Sequence, residues 1–332
     1  MNILMCMLVI FIHVASWSIN SLDINSIKYF ALMVPWKLSA FVVQGFIFLS
    51  AVKLFSSSKP LDYEKFLVGR YVKIIAPYVI WVIVYYVYFI NHEFYAYVFS
   101  WDQFGQYLFF GTLCSHFYFI ITIMQFYFNM PIFKWLVSKV NGVLLVVASV
   151  VLTALFKQFV HFQYDDRVFV AYLCYFVIGA VIGKNYEKVT AVLKRIWWLL
   201  FIPFAIFAFG DVLFTYRAAH GSVFAYSELL HLGYCISAIF FFFAFFLRFF
   251  EGKQLWRVVA LADKSSYGMY LSHILFVYIA NDIIRENNIT DMAHAFAVRF
   301  GITYGATLVL CMSYTLVKEK IKNARKASRT VS

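Results

Sequence analysis

Along the 332-residue chain, apolar positions gather into long runs separated by short polar joints. A helix needs roughly 20 mostly apolar residues to cross about 30 Å of hydrocarbon. That length selects ten stretches, at about 3–18, 37–55, 74–91, 116–136, 142–160, 168–184, 196–215, 228–247, 266–284 and 296–317. The run from Tyr107 to Leu113 is too short to cross and is expected at the interface. The pattern predicts an all-α, polytopic membrane helix bundle of about ten transmembrane helices. No internal repeat and no extramembrane domain is visible, so 1–317 reads as one membrane domain and 318–332 as a basic tail.

Composition strengthens this picture. The chain is 64% hydrophobic and only 13% charged, where soluble proteins carry about a quarter charged residues. A mean hydropathy of +0.79 cannot be hidden inside one globule, which excludes soluble, disordered, collagenous and disulfide-rich classes. Forty Phe and 24 Tyr suit helices anchored at a membrane interface.

A net charge of +12 would fit nucleic acid only if a solvated basic face existed. The positive-inside rule accounts for it better. With the N-terminus in the cytoplasm, 21 of the 28 basic residues fall on the inner side, Lys59 and the tail among them. Lys28, Lys37, Lys157, Arg167, Arg217, Arg285 and Arg299 fall outside. Both termini are therefore expected to be cytoplasmic, with the tail anchored on the anionic inner leaflet. The first apolar stretch lacks a basic leading region and a small-residue cleavage site, so it reads as a span. Cys6, Cys114, Cys174, Cys235 and Cys311 lack CxxC spacing and read as packing residues. No HExxH spacing occurs, and no metal is expected.

Ionisable side chains inside a bilayer are costly and usually face a bundle interior or an aqueous cavity. His13 falls in the outer half of the first span, either as a neutral base or as a histidine satisfied by its own helix. His273 lies near mid-membrane in the ninth span, and His116 opens the fourth on the outer side. Glu228 and His231, three residues apart, share a helix face at the outer start of the eighth, and Asp211 and Asp282 also lie at outer ends. On the inner side, Arg70 and Lys73 stand three apart before the third span. There they present two cations to a phosphate, or serve as a positive-inside anchor.

Several motifs, taken together, resemble the acyltransferase-3 family of bacterial membrane enzymes, over Ile3 to about Val317. The family's first span carries an arginine and, about ten residues on, a histidine; His13 matches the histidine, and Asn2 stands at the arginine's place. Phe46-Ile47-Phe48-Leu49-Ser50-Ala51 is similar to an aromatic stretch ending in Ser-Gly. Arg70-Tyr71-Val72-Lys73 resembles a paired-arginine element, and His116-Phe117-Tyr118-Phe119 a His-Leu-Trp-Phe run. Ser266-Tyr267-Gly268-Met269-Tyr270-Leu271-Ser272-His273 is close to Ser-Tyr-x-x-Tyr-Leu-x-His.

The resemblance implies an O-acyltransferase of a bacterial cytoplasmic membrane. It would take an acyl group, usually acetyl, from coenzyme A on the inner side and deliver it to a hydroxyl of a cell-surface or lipid-linked glycan. Acetyl-CoA, or another acyl-CoA such as succinyl-CoA, would be a co-substrate, and no permanently bound cofactor is implied. Arg70 and Lys73 would then hold the polyanionic donor. His13 would act as general base, and its protonated form could steady an oxyanion. His273 would orient the acyl group or relay a proton, and His116, Tyr118, Glu228 and His231 are acceptor-pocket candidates. No G-x-S-x-G elbow surrounds Ser50, which favours direct transfer. The rival reading is a transporter or flippase for a lipid-linked glycan. Against it, the halves show no repeat symmetry and no pair of spans is conspicuously broken by Gly or Pro.

Overall fold

The computed structural model describes residues 1–57, 60–92, 97–221, 227–254 and 256–331, with side chains as far as residue 324. Lys59 and Ser332, and the side chains of Arg325, Lys326 and Arg329, lie outside the described residues. Every regular element among the described residues is helical. The α-helices are α1 (Asn2–Ile19), α2 (Ile27–Leu38), α3 (Val42–Phe55), α4 (Tyr63–Arg70), α5 (Ala76–Ile90) and α6 (Trp101–Phe110). Then come α7 (Tyr118–Phe128), α8 (Met130–Lys139), α9 (Gly142–Phe159), α10 (Leu173–Lys184), α11 (Tyr186–Ile196) and α12 (Phe201–Ala219). The last three are α13 (Glu228–Phe250), α14 (Arg257–Glu286) and α15 (Met292–Val331).

Among the described residues, seven helices are long and apolar enough to cross a membrane, or up to nine if two bent pairs each count as one span. The expected stretch 266–284 falls on α14, which is 30 residues long but does not meet the same apolar test. Its polar side chains point into protein: Ser265, Ser272, His273 and Asp282 are all buried. The helix α2 begins at Ile27, ten residues before the expected start, and carries Lys37, which is buried against protein. The run Tyr107–Leu113 overlaps α6, which is not among the crossing helices.

The fourth expected span is broken, contrary to the unbroken helices read from the sequence. Its halves α7 and α8 bend by 58° where Pro131 opens α8. Proline donates no backbone hydrogen bond and disfavours helix in the residue before it. Beyond α10 the chain turns by 106° into α11. Thr190 and Leu193 form the buried side of α11, while Lys188 and Arg195 are exposed, as suits a helix lying along an interface.

The chain divides into two compact units, Met1–Val42 with Phe250–Ser332, and Val43–Phe249. In the first, α1 packs along α14 and α15. Ile10 and Val14 of α1 meet Val277 of α14 at its core, with Tyr304 of α15 packed beside them. The Tyr304 hydroxyl donates to Met7 O at 2.7 Å, and Lys264 pairs with Glu319 at 2.7 Å. Arg299 is buried and donates to Asn281 Oδ1 (2.7 Å) and Ser18 Oγ (2.9 Å), joining all three helices.

In the second unit, α9 shows how its helices sort their faces. Val143, Leu144, Val147, Val151 and Leu155 are exposed, whereas Ser149 and Thr153 are buried. An apolar outside with polar contacts inside is the expected inversion when lipid is the solvent. Thr153 Oγ1 donates to Val170 O and accepts from Cys174 N–H, both at 3.1 Å. Two 3-10 turns at Asp165–Arg167 and Phe169–Tyr172 interrupt the helices there. Gln125 of α7 satisfies that irregular backbone, donating to Arg167 O (2.7 Å) and accepting from Phe169 N–H (3.1 Å).

Close approach is concentrated where α10 crosses α3. A Cβ at Gly179 would lie 2.4 Å from Phe48 O, and one at Gly183 would lie 2.6 Å from Val52 O. The four-residue spacing of these glycines is the small-xxx-small pattern that lets membrane helices touch backbone to backbone.

Candidate active site

In the first unit, α1 and α14 bring His13 and His273 together. Their ring centroids lie 5.1 Å apart at an interplanar angle of 48°. His273 Nδ1 sits 2.7 Å from Tyr270 O and 3.2 Å from Met269 O. Carbonyl oxygens only accept, so Nδ1 carries the proton and the lone pair of this ring is on Nε2. His273 is fully buried, whereas His13 keeps part of its surface open. The pair therefore has one member locked in a single tautomer and a second, less enclosed one. Cys6 Sγ donates to Ser266 O at 3.4 Å, and Asp263 Oδ1 accepts from Ile3 N–H at 3.1 Å. These contacts fix the register of the first-span motif against the Ser266–His273 motif.

The second unit assembles the other motifs. Ser50 Oγ and the Tyr127 hydroxyl are hydrogen-bonded at 2.8 Å. Arg70 lies over that same Tyr127 ring and over Phe66, at 4.9 Å from each centroid. Phe46 approaches Phe119, at 6.1 Å between centroids. Segments as far as 77 residues apart in sequence thus converge through α7.

The expectation that Arg70 and Lys73 share one helix face needs correction. Residues Tyr71–Ile75 form a π turn, which holds more residues per turn than an α-helix. Three residues no longer bring side chains back to one face. Arg70 turns inward onto the rings, while Lys73 is exposed. Just before them, Asp62 caps α4 and takes a 2.7 Å contact from Lys65, which holds its carboxyl below the usual range.

His116 is buried just ahead of α7, with its ring 5.9 Å from Tyr85 and 4.2 Å from Phe117. Tyr118 stacks on Tyr172 at 6.5 Å. Glu228 pairs with Lys157 at 3.1 Å, and His231 Nδ1 meets Asp211 Oδ2 at 3.0 Å. Glu228 and His231 thus share α13 but have separate partners. The five cysteines are free and buried. Residues that the sequence reading left without a role and that the structure brings into these groups are Tyr127, Phe66, Tyr172 and Lys157. None carries a local sequence signal, because each is recruited from a distant helix.

Neither the curated proteins nor the solved structures give a match to this chain. The family model for the acyltransferase-3 acyltransferase domain matches residues 2–316, nearly the full length. With its several apolar helices, this makes the chain a multi-pass membrane protein. Matched over nearly its whole length, the chain belongs to the acyltransferase-3 family of membrane acyltransferases.

Proposed function

We propose that this protein is a membrane O-acyltransferase of a bacterial cytoplasmic membrane. It moves an acyl group, acetyl in the first instance, from cytoplasmic acyl-CoA to a hydroxyl of a cell-surface or lipid-linked polysaccharide. The observation that carries the reading is the His13–His273 pair, buried in a helix bundle of an acyltransferase family.

An alcohol is a weak nucleophile at neutral pH and needs a base as it attacks a thioester carbonyl. His13, the more open ring, takes the hydroxyl proton as the C–O bond forms and the C–S bond breaks. The proton then passes to the leaving thiolate. His273, with its proton held on Nδ1, packs beside His13 and presents a neutral ring to it. Arg70 supplies a planar cation for donor phosphates, already braced between two rings. Lys73 adds an exposed point charge. His116, Tyr118 and Glu228 contribute polar groups for the acceptor.

The test is transfer of labelled acetyl from acetyl-CoA by purified protein in liposomes bearing lipid-linked glycan. His13→Ala is expected to abolish transfer, and His273→Ala to lower kcat more than it raises KM for acetyl-CoA. Full transfer by His13→Ala would remove the base. Glycan crossing the membrane without acyl-CoA, and with no ester formed, would replace the enzyme with a carrier.

A further inference from the structure

A second group of reactive side chains lies wholly within the Val43–Phe249 unit, apart from the histidine pair. The helix α13 carries His231 and Cys235 four residues apart, hence on one face. His231 Nδ1 is 3.0 Å from Asp211 Oδ2 of α12, and its Nε2 is 3.4 Å from Cys235 Sγ. A carboxylate beside Nδ1 holds the ring proton there, so the lone pair on Nε2 faces the thiol. Nucleophile, base and orienting carboxylate thus stand in the sequence that activates a weak nucleophile.

The carboxylate and the thiol meet opposite nitrogens of one imidazole, so the three share no common point for a cation. Among the described residues, no group of three or more His, Cys, Asp or Glu is placed to hold a metal ion. A proton relay is what this line of atoms suits. Asp211 and Cys235 are buried almost completely. The Tyr175 hydroxyl is also buried and lies beside the Cys235 thiol. A phenolic O–H beside a nucleophile is one of the donors that can stabilise a tetrahedral oxyanion. As a packing residue, the role its spacing suggests, Cys235 would have no use for a base held in one tautomer.

We infer that Asp211, His231 and Cys235 form a nucleophilic centre that takes the acyl group from an acyl thioester and holds it as an S-acyl-enzyme. The inference rests on the proposed function for the donor class alone. His231 Nε2 accepts the Cys235 proton as sulfur attacks the carbonyl carbon, and Tyr175 donates to the oxyanion. The bond from carbon to the coenzyme A sulfur then breaks, and His231 returns its proton to that thiolate. Acyl-S-CoA and Cys235 thiol become acyl-S-Cys235 and free coenzyme A. Discharge to an alcohol breaks the new C–S bond, leaves the alcohol's proton on sulfur and restores the thiol.

The experiment incubates full-length protein in lipid nanodiscs with labelled acetyl-CoA and no acceptor, followed by acid quench, intact mass and peptide mapping. One acetyl group is expected on Cys235, removable by neutral hydroxylamine. Cys235→Ala should carry none, and His231→Gln should acylate on the order of 10²–10⁴-fold more slowly, the usual contribution of a positioned base. Cys235→Ser, close in size, serves if the alanine variant does not fold; its adduct, if formed, should resist hydroxylamine. Normal acetyl-CoA turnover by either Cys235 variant, with no adduct on the parent, overturns the inference and leaves the acyltransferase reading standing. An adduct on another cysteine overturns it as well. No turnover of acetyl-CoA or succinyl-CoA by the parent protein, with or without acceptor, brings down both.

Discussion

Adding one methyl group at Gly179 should destabilise the protein, whereas the same methyl at Gly301 should not. At Gly179 the new Cβ would lie 2.4 Å from Phe48 O and 3.0 Å from the Ala51 Cβ. Carbon and a carbonyl oxygen come no closer than about 3.3 Å even in favourable contacts. Helices α3 and α10 must therefore part by on the order of 1 Å, because a backbone carbonyl cannot swing aside. Overpacking of this kind costs about 1–3 kcal/mol. Alanine's better helix propensity returns about 1 kcal/mol, so a net loss of up to about 2 kcal/mol is expected. Gly301, inside α15, has nothing within 4 Å of its added Cβ, so only the propensity gain remains. Thermal midpoints of both variants in one detergent, read as the fraction staying monodisperse, test the pair. Acetyl transfer should also fall for Gly179→Ala, since Tyr175 lies one helical turn before Gly179. A Gly179→Ala midpoint at or above the parent's, or an equal drop for Gly301→Ala, would refute the close-approach argument.

Four further outcomes follow from contacts and exposure described above. Gln125→Met removes the acceptor for Phe169 N–H and one of two donors to Arg167 O, which keeps Thr122 Oγ1; stranding Phe169 N–H should cost about 1–3 kcal/mol in chemical denaturation. Arg70→Ala should lower stability by about 1–2 kcal/mol through two lost ring contacts and raise KM for acyl-CoA. Lys73→Ala, exposed, should move stability by no more than about 0.5 kcal/mol and shift KM alone; an unchanged KM assigns Lys73 to the membrane surface. For Lys157→Met and Glu228→Gln, the double variant should exceed the additive expectation by about 0.5–1 kcal/mol, as for a partly exposed pair.

Apolar run length marked the helices well, because roughly 20 apolar residues have few other uses. Its failures were local. Lys28 and Lys37 interrupt the hydrophobic window, which hid the start of α2; the structure shelters Lys37 inside protein, where the pattern assumed water. Pro131 was visible, but the 58° bend depends on where α8 packs. The π turn after Arg70 leaves no periodic trace, so the shared face of Arg70 and Lys73 was lost. Each member of the His13–His273 pair was conspicuous alone, as a polar group in apolar surroundings. Their meeting joins positions 260 residues apart, which spacing cannot reveal. The four-residue step from His231 to Cys235 was legible, while Asp211 joins them only through the packing of α12.

The unit that holds the histidine pair is made from the two ends of the chain, and this sets a timetable for biogenesis. Ribosomes add about 5–20 residues each second, so α1 waits on the order of 10–50 s for α14 and α15 to be translated. Throughout that interval His13 has no His273 beside it. The last helix meanwhile carries Arg299 toward apolar surroundings, a cost offset once Ser18 and Asn281 receive it. The histidine pair therefore forms only once α14 has followed α1 into the membrane, and a chain halted before α14 leaves its first helix without that partner.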